Sequence, residues 1–203
     1  MTMQAPTPDP LATVKPVPNA ASTQRRQLLG AAVAWLALPS AARATPVWPE
    51  VRAALPEARL AGASRLRVWG LDVYDAQLWV GPDFRASQFE SHPLALSLGY
   101  LRALKGPLIA ERSLKEMRAL GDLSRTQAEV WLRAMTQIFP DVKPADRLTG
   151  LHQPGVGARF WLNAQPIGQV ADARFSELFF GIWLAPASSE PALRNDLWAG
   201  APT

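Results

Sequence analysis

One stretch of the chain, RLRVWGLDVYDAQLWV from Arg65, collects the side chains best suited to binding chemistry. An arginine can hold a carboxylate through two parallel hydrogen bonds, and a tyrosine hydroxyl can add a third. Arg65, Arg67 and Tyr74 therefore suggest a site for a carboxylate or an enolate, with Trp69 beside them. Tyr100, the only other tyrosine, is the second candidate hydroxyl. The alternative is a solvated face with one tyrosine partly packed, and the residues alone leave both interpretations open.

This stretch is expected to form an extended ribbon of the sheet. Leu66 and Val68 alternate with polar residues, which is the period of a half-buried strand. Gly70 breaks the alternation, and Leu71 and Val73 then take the apolar positions. We expect a one-residue bulge at Gly70, because glycine accepts the backbone geometry that a bulge needs. With that bulge, one face would carry Arg65, Arg67, Trp69, Asp72 and Tyr74.

The remaining composition argues against a metal site or a cofactor. The two histidines, His92 and His152, have no metal-ligating partner at short spacing, which makes a zinc site or a catalytic triad improbable. The chain has no cysteine, so it offers no thiol nucleophile, iron–sulfur cluster, disulfide or lipid attachment site. The glycines between residues 150 and 157 lack the strand–turn–helix context of a phosphate-binding loop. No cofactor is predicted.

Residues 1–44 are predicted to be a disordered region followed by a cleavable export signal. Arg25 and Arg26 precede an apolar run at 28–38, and small residues up to Ala44 suit a signal peptidase. The paired arginines resemble a twin-arginine signal, and a Sec signal is the alternative. The run is shorter than the ~20 residues that span a bilayer, so no stable membrane span is expected. The protein would be periplasmic or secreted, with the export machinery as a partner.

The basic charge of the chain belongs mostly to this N-terminal region. Residues 1–44 hold four basic residues and one acidic residue, so the formal charge of +4 falls to +1 for residues 45–203. A nucleic-acid partner is therefore not expected. Residues 45–203 are numerous enough to bury one core without disulfides.

Periodicity and turn signals predict an α+β domain, with an antiparallel sheet covered on one side by helices. A proline-containing lead-in segment, residues 45–61, precedes the domain at 62–198, and residues 199–203 form a tail. Strands are expected at 63–80, 94–100 and 147–152, with a hairpin at 158–170. Helices are expected to begin at Gly106, Ser124, Asp172 and Ser189.

The order of several segments resembles the chalcone isomerase-like family. The segments are VYDAQLW, YLRALKGPLIAERSLKEM, IFPDV, ARFWLN and FSELFFGIWL followed by PALRNDL, and they cover roughly Gly62 to Trp198. The resemblance implies an open-faced β-sandwich. It also implies either an intramolecular lyase that cyclises chalcones or a relative that binds fatty acids in the same cleft.

When the family's motifs are matched residue by residue, this chain has other residues at most of the enzyme's catalytic positions. The threonine position falls at Trp69, the helix tyrosine at Ile109, the lysine at Arg112 and the asparagine at Glu116. The late hydroxyl falls at Ile182 or Gly181. One arginine stays plausible, and the loop length leaves Arg65 and Arg67 undecided.

We therefore expect a non-catalytic, exported domain that binds a small apolar or planar carboxylate ligand, such as a fatty acid. Arg65, Arg67, Trp69, Tyr74 and Tyr100 are the predicted binding residues. An intramolecular lyase or isomerase acting on another substrate is the second hypothesis. An accessory domain that binds a protein partner is the third, and it predicts exposed tryptophans and no buried cavity.

Overall fold

A computed structural model of the chain describes residues 46–201, so the predicted export signal lies outside the described residues. The strands are β1 (Arg59–Val68), β2 (Leu71–Val80), β3 (Leu94–Tyr100), β4 (Arg147–Gln153), β5 (Gly157–Leu162) and β6 (Gln165–Val170). The helices are α1 (Pro49–Ala54), α2 (Gly106–Leu120), α3 (Arg125–Ile138), α4 (Ala173–Leu184) and α5 (Pro191–Trp198). A short 3-10 segment spans Ala86–Ser91.

The six strands form one antiparallel sheet in chain order, β1 to β6. Alternate residues of each strand point to opposite faces. The inner face carries the main core, where Leu78, Leu96 and Phe160 pack with residues of α2, α3, α4 and α5. The predicted α+β architecture, an antiparallel sheet covered by a layer of helices, is confirmed.

The outer face of the sheet carries a smaller apolar cluster under α1. Val51 packs there with Trp79, Ala95 and Leu151. The segment predicted only as a lead-in, residues 45–61, thus contains a helix and the first residues of β1. Pro49 favours this helix start because proline's fixed φ suits a first turn.

The helix starts follow local signals in the sequence. The Ser124 hydroxyl accepts a hydrogen bond from the backbone N–H of Gln127 at 3.1 Å, which caps α3. The Asp172 carboxylate accepts from the backbone N–H of Phe175 at 3.0 Å and caps α4. Both caps agree with the prediction. No helix in the described residues combines the length and apolar character needed to cross a bilayer.

The ribbon predicted at residues 63–80 is instead a tight hairpin. Trp69 and Gly70 form its two-residue turn, with left-handed φ angles of 50° and 79°. Gly70 suits this position because the left-handed region is open to glycine. The predicted bulge at Gly70 is therefore wrong, since the change in alternation there marks a reversal of the chain. The real irregularities in the β1–β2 pairing lie elsewhere.

Candidate functional site: an apolar cavity between the sheet and two helices

A cavity of about 260 Å³ lies between the inner face of the sheet and helices α2 and α4. Its wall is mostly apolar, and a few polar groups project into it. Apolar lining residues include Leu66, Val73, Leu98, Leu104, Phe179 and Trp183. Cavities lined in this way, with few polar groups, are typical of sites for small molecules.

Tyr74 and Tyr100 are cross-strand neighbours on β2 and β3, and both line the cavity. Their ring centroids lie 6.0 Å apart in an edge-to-face arrangement. The indole N–H of Trp183 donates to the Tyr74 hydroxyl at 2.9 Å. The Tyr100 hydroxyl has no hydrogen bond to any described residue. Each phenol can therefore donate its proton to a molecule in the cavity.

Burial keeps both phenols protonated. Desolvation raises the pKa of Tyr74 to about 12, even though the hydrogen bond from Trp183 acts in the opposite direction. Desolvation also raises the pKa of Tyr100 above its ordinary value, with a smaller contribution from Tyr74. At neutral pH these residues are hydrogen-bond donors.

A β-bulge at Val73 places Tyr74 in the cavity. Leu66 pairs with Tyr74, but the next residue, Arg67, pairs with Asp72, so Val73 is an extra residue on β2. Val73 and Tyr74 are consecutive and yet both line the cavity. Without the bulge, strand alternation would send one of them to the outer face.

Arg65 and Arg67 belong to the opposite face from Tyr74. Arg65 donates to Asp75 at 2.6 Å and to Asp72 at 2.8 Å, and Arg67 donates to Asp72 at 2.7 Å. The hydrogen bonds that Arg65 donates to Asp75 and Asp72 raise the pKa of its guanidinium. The prediction that these arginines share a face with Tyr74 is wrong, because the bulge at Val73 shifts the alternation of faces between Asp72 and Tyr74. Neither arginine lines the cavity.

Trp69 also lies away from the cavity wall. It occupies the hairpin turn with 98% of its surface exposed, so its predicted place on a face with Tyr74 is wrong as well. Val68 and Leu108, both exposed and apolar, border the cavity. Exposed Leu71 pairs with Val68, and exposed Leu101 donates its backbone N–H to Val73. Val68 and Leu108 therefore form an exposed apolar rim at the mouth of the cavity, with Leu71 and Leu101 close to it.

Within residues 46–201, three charged residues line the cavity, and all come from its helical side. Arg112 and Glu116 of α2 form an ion pair of 2.7 Å, in which the Glu116 side chain is 13% exposed and the Arg112 side chain 64%. Glu190 precedes α5 and has no ion-pair partner among the described residues. Two carboxylates and one guanidinium leave a net negative charge at this wall.

A second polar cluster lies on the outer face and anchors α1. The Glu50 side chain, 1% exposed, pairs with Arg147 at 3.0 Å and accepts from the Thr149 hydroxyl at 2.8 Å. The Arg147 guanidinium lies 3.7 Å from the centre of the Trp48 ring. Each charge has a partner, so the cluster is satisfied internally and serves packing.

His152 is buried on the inner face of β4. Its Nδ1 lies 2.7 Å from the Ser176 hydroxyl, and its Nε2 lies 2.9 Å from the carbonyl oxygen of Glu90. Burial lowers the pKa of this imidazole below its ordinary value. A neutral ring satisfies both contacts, with Nε2–H donating to the carbonyl and Nδ1 accepting from the serine. Among the described residues no cluster of side chains could hold a metal ion.

The residues that sequence matching assigned to helical positions of the family do line the cavity. Ile109, Arg112 and Glu116 recur on one stripe of α2, and Ile182 of α4 faces them. Their helical spacing was visible in the sequence. Their approach to Tyr74 and Tyr100 was not, because it depends on how α2 packs on the sheet.

The chain is similar to several known proteins. A family model described as chalcone isomerase-like matches residues 57–198. A Haemophilus influenzae protein described as uncharacterized is 36% identical over 110 residues, which cover 54% of this chain and 54% of that protein. The match therefore spans about half the length of that curated relative.

Among solved structures, a fatty-acid binding protein of Arabidopsis thaliana superposes with a TM-score of 0.56. The superposition covers 71% of this chain and 88% of the plant protein, at 13% sequence identity. At that identity the likeness shows the fold.

Proposed function

Because this chain belongs to the chalcone isomerase-like family, we propose that it binds a small apolar ligand in the cavity between its sheet and helices, without transforming it. The observation that carries the proposal is the cavity itself: an apolar space of about 260 Å³ into which two protonated tyrosines project. Its volume lies just below the usual range of small-molecule pockets, about 300–1,000 Å³. A single chain-like or small planar molecule suits that space.

The absence of catalysis is supported by the groups at the matched positions. A cyclising enzyme must stabilise a developing enolate with donors or positive charge. The positions matched to the family's tyrosine and late hydroxyl carry Ile109 and either Ile182 or Gly181, none of which has a side-chain hydrogen-bond donor. The position matched to the threonine carries Trp69, which lies away from the cavity wall. The one cation that the described residues place at the cavity wall, Arg112, is already paired with Glu116.

A fatty acid or a comparable molecule is our candidate ligand class. The structural neighbour from Arabidopsis thaliana is described as a fatty-acid binding protein. Here the apolar chain would lie against Leu98 and Phe179, with its polar end at Tyr74 and Tyr100. The exposed rim at the mouth would give an apolar ligand a path into the cavity.

The third hypothesis, an accessory domain for a protein partner, predicts no buried cavity. The cavity therefore favours ligand binding over that role.

We further propose that the protein acts after export and that residues 1–44 are its signal. N-terminal sequencing of protein recovered from the periplasm should begin close to Thr45. Replacing both Arg25 and Arg26 with lysine should block export by the twin-arginine route and leave Sec export unaffected.

A cavity-filling substitution tests the binding proposal. Ile109→Trp adds a large ring to the cavity wall and should weaken binding of decanol at least tenfold in a calorimetric titration. Val130→Trp is the matched control, because it adds the same ring to an exposed position of α3. Absence of binding to the unaltered protein, for alcohols and acids of every chain length from octyl to hexadecyl, would reject the proposal. So would turnover of an enone-bearing phenol that Arg112→Gln abolishes.

A further inference from the structure

The charged groups at the cavity wall restrict the kind of polar end that a ligand can carry. They are Arg112, Glu116 and Glu190, and no other charged residue lines the cavity in the described chain. Their net charge is negative. A buried ion is stable only with a partner of opposite charge or with several hydrogen bonds.

The single cation is not free to serve a ligand. Arg112 lies 2.7 Å from Glu116, whose side chain is almost buried, whereas most of the Arg112 side chain is exposed. A carboxylate in the cavity could recruit Arg112 only by competing with Glu116. If it succeeded, Glu116 would be left as a buried, unpaired charge.

The other arginines near the hairpin do not compensate. Arg65 and Arg67 lie on the outer face and are held by Asp72 and Asp75. No described arginine or lysine other than Arg112 lines the cavity.

The hydrogen-bonding groups at the sheet side of the cavity are donors without charge. Tyr74 accepts from Trp183, so the proton of its hydroxyl is available to a ligand. Tyr100 has no described partner and can direct its proton to the same region. Two neutral donors on adjacent strands match an oxygen acceptor such as an alcohol, ester or ketone oxygen.

We infer that the ligand of this cavity carries an uncharged, hydrogen-bond-accepting polar end, and that the cavity discriminates against a free carboxylate. The inference rests on the proposed binding function and narrows its ligand class to neutral amphiphiles: alcohols, esters, ketones or the protonated form of an acid. Glu116 and Glu190 are the residues that set this specificity.

The experiment compares decanol with decanoate, which share one chain length and differ in the charge of the polar end. Both are titrated calorimetrically at a pH where decanoate is fully ionised. Decanol should bind at least about tenfold more tightly. Glu116→Gln frees Arg112 and should strengthen decanoate binding about tenfold, which raises the ratio of decanoate affinity to decanol affinity. Glu190→Gln should act in the same direction, and it serves as the second variant if Glu116→Gln does not fold.

Glu111→Gln is the matched control, because Glu111 lies on the same helix, is exposed and does not line the cavity. It should leave the ratio of the two affinities unchanged. Equal or tighter binding of decanoate by the unaltered protein would overturn the inference while the binding function stands. An affinity ratio that neither glutamate substitution changes would also overturn it. If neither probe binds, the proposed function fails first.

Discussion

Two conservative substitutions, Tyr74→Phe and Tyr100→Phe, separate the structural from the ligand-binding use of the cavity hydroxyls. Each substitution removes the hydroxyl oxygen from one buried ring, and the two rings lie on adjacent strands. The Tyr74 hydroxyl accepts the indole N–H of Trp183 at 2.9 Å, whereas the Tyr100 hydroxyl has no described partner. The two variants should therefore differ in stability and agree in their effect on ligand binding.

The expected loss of stability follows from the group that is left behind. Tyr74→Phe leaves the N–H of Trp183, a residue that is 7% exposed, without an acceptor. An unsatisfied buried donor costs about 1–3 kcal/mol, so the free energy of unfolding should fall by that amount. Tyr100→Phe breaks no hydrogen bond within the described chain and should change the same free energy by less than about 0.5 kcal/mol.

Urea denaturation followed by circular dichroism measures both values. Trp183→Phe, combined with Tyr74→Phe in a double-mutant cycle, should give a coupling free energy of about 1 kcal/mol. In a titration with decanol, each tyrosine variant should lose affinity by about 2- to 13-fold, the equivalent of one ordinary hydrogen bond. Equal losses of stability in the two variants, or unchanged decanol affinity in both, would refute the reasoning.

Three further substitutions test other parts of the structure. Arg147→Met leaves Glu50 buried with Thr149 as its remaining polar partner and should lower the free energy of unfolding by about 3–5 kcal/mol. Arg159→Met, at an exposed position on the same face, should cost under about 1 kcal/mol, and similar losses in urea titrations would contradict the assignment. His152 has a lowered pKa in the folded state, so its neutral form is favoured there. The contribution of neutral His152 to the free energy of unfolding is complete above the ordinary pKa of 6.5. It is lost as the pH falls below that value, because the imidazole then binds a proton in the unfolded chain more readily than in the folded one. His152→Gln should flatten that part of the stability–pH curve, and an unchanged slope would disprove the reading. Gly62→Ala would bring a Cβ within 2.5 Å of the carbonyl oxygen of Leu197 and should lower stability by about 1–3 kcal/mol. Gly99→Ala meets only an ordinary contact at 3.8 Å and should melt at a higher temperature than Gly62→Ala.

Local signals made the helices predictable from the sequence. Ser124 with Gln127, and Asp172 with Phe175, form caps between residues three positions apart. Such contacts do not depend on the rest of the fold. The same holds for the apolar stripe of α2, which set the side of that helix that packs inward.

The β1–β2 hairpin was not predictable in the same way. A Trp-Gly turn lacks the asparagine or aspartate that usually marks a two-residue hairpin. Trp69 adopts a left-handed φ of 50°, which the residue type does not suggest. The bulge at Val73 has no mark in the sequence, and strict alternation from Asp72 to Tyr74 therefore placed Tyr74 on the face of Arg65 and Arg67, which it does not share.

The composition of the cavity wall also required the tertiary structure. Tyr74 and Tyr100 could be chosen from the sequence as the only tyrosines, but the residue that donates to Tyr74 is 109 positions away. Glu190 reaches the cavity from the start of α5, and nothing in its local sequence distinguishes it from a solvent-exposed glutamate. Pairings of this kind exist only once the helices pack on the sheet.

The bulge at Val73 makes one residue of β2 dispensable to the face pattern of the hairpin. Deleting Val73 would leave Leu66 opposite Tyr74 and Arg67 opposite Asp72, now in regular alternation, so every remaining residue would keep its face. Tyr74 would still face the cavity, and Asp72 and Asp75 would still lie beside Arg65 on the outer face. In this fold, the loss of one codon at the bulge would therefore remove an apolar side chain from the cavity wall and leave in place the polar groups that a ligand meets.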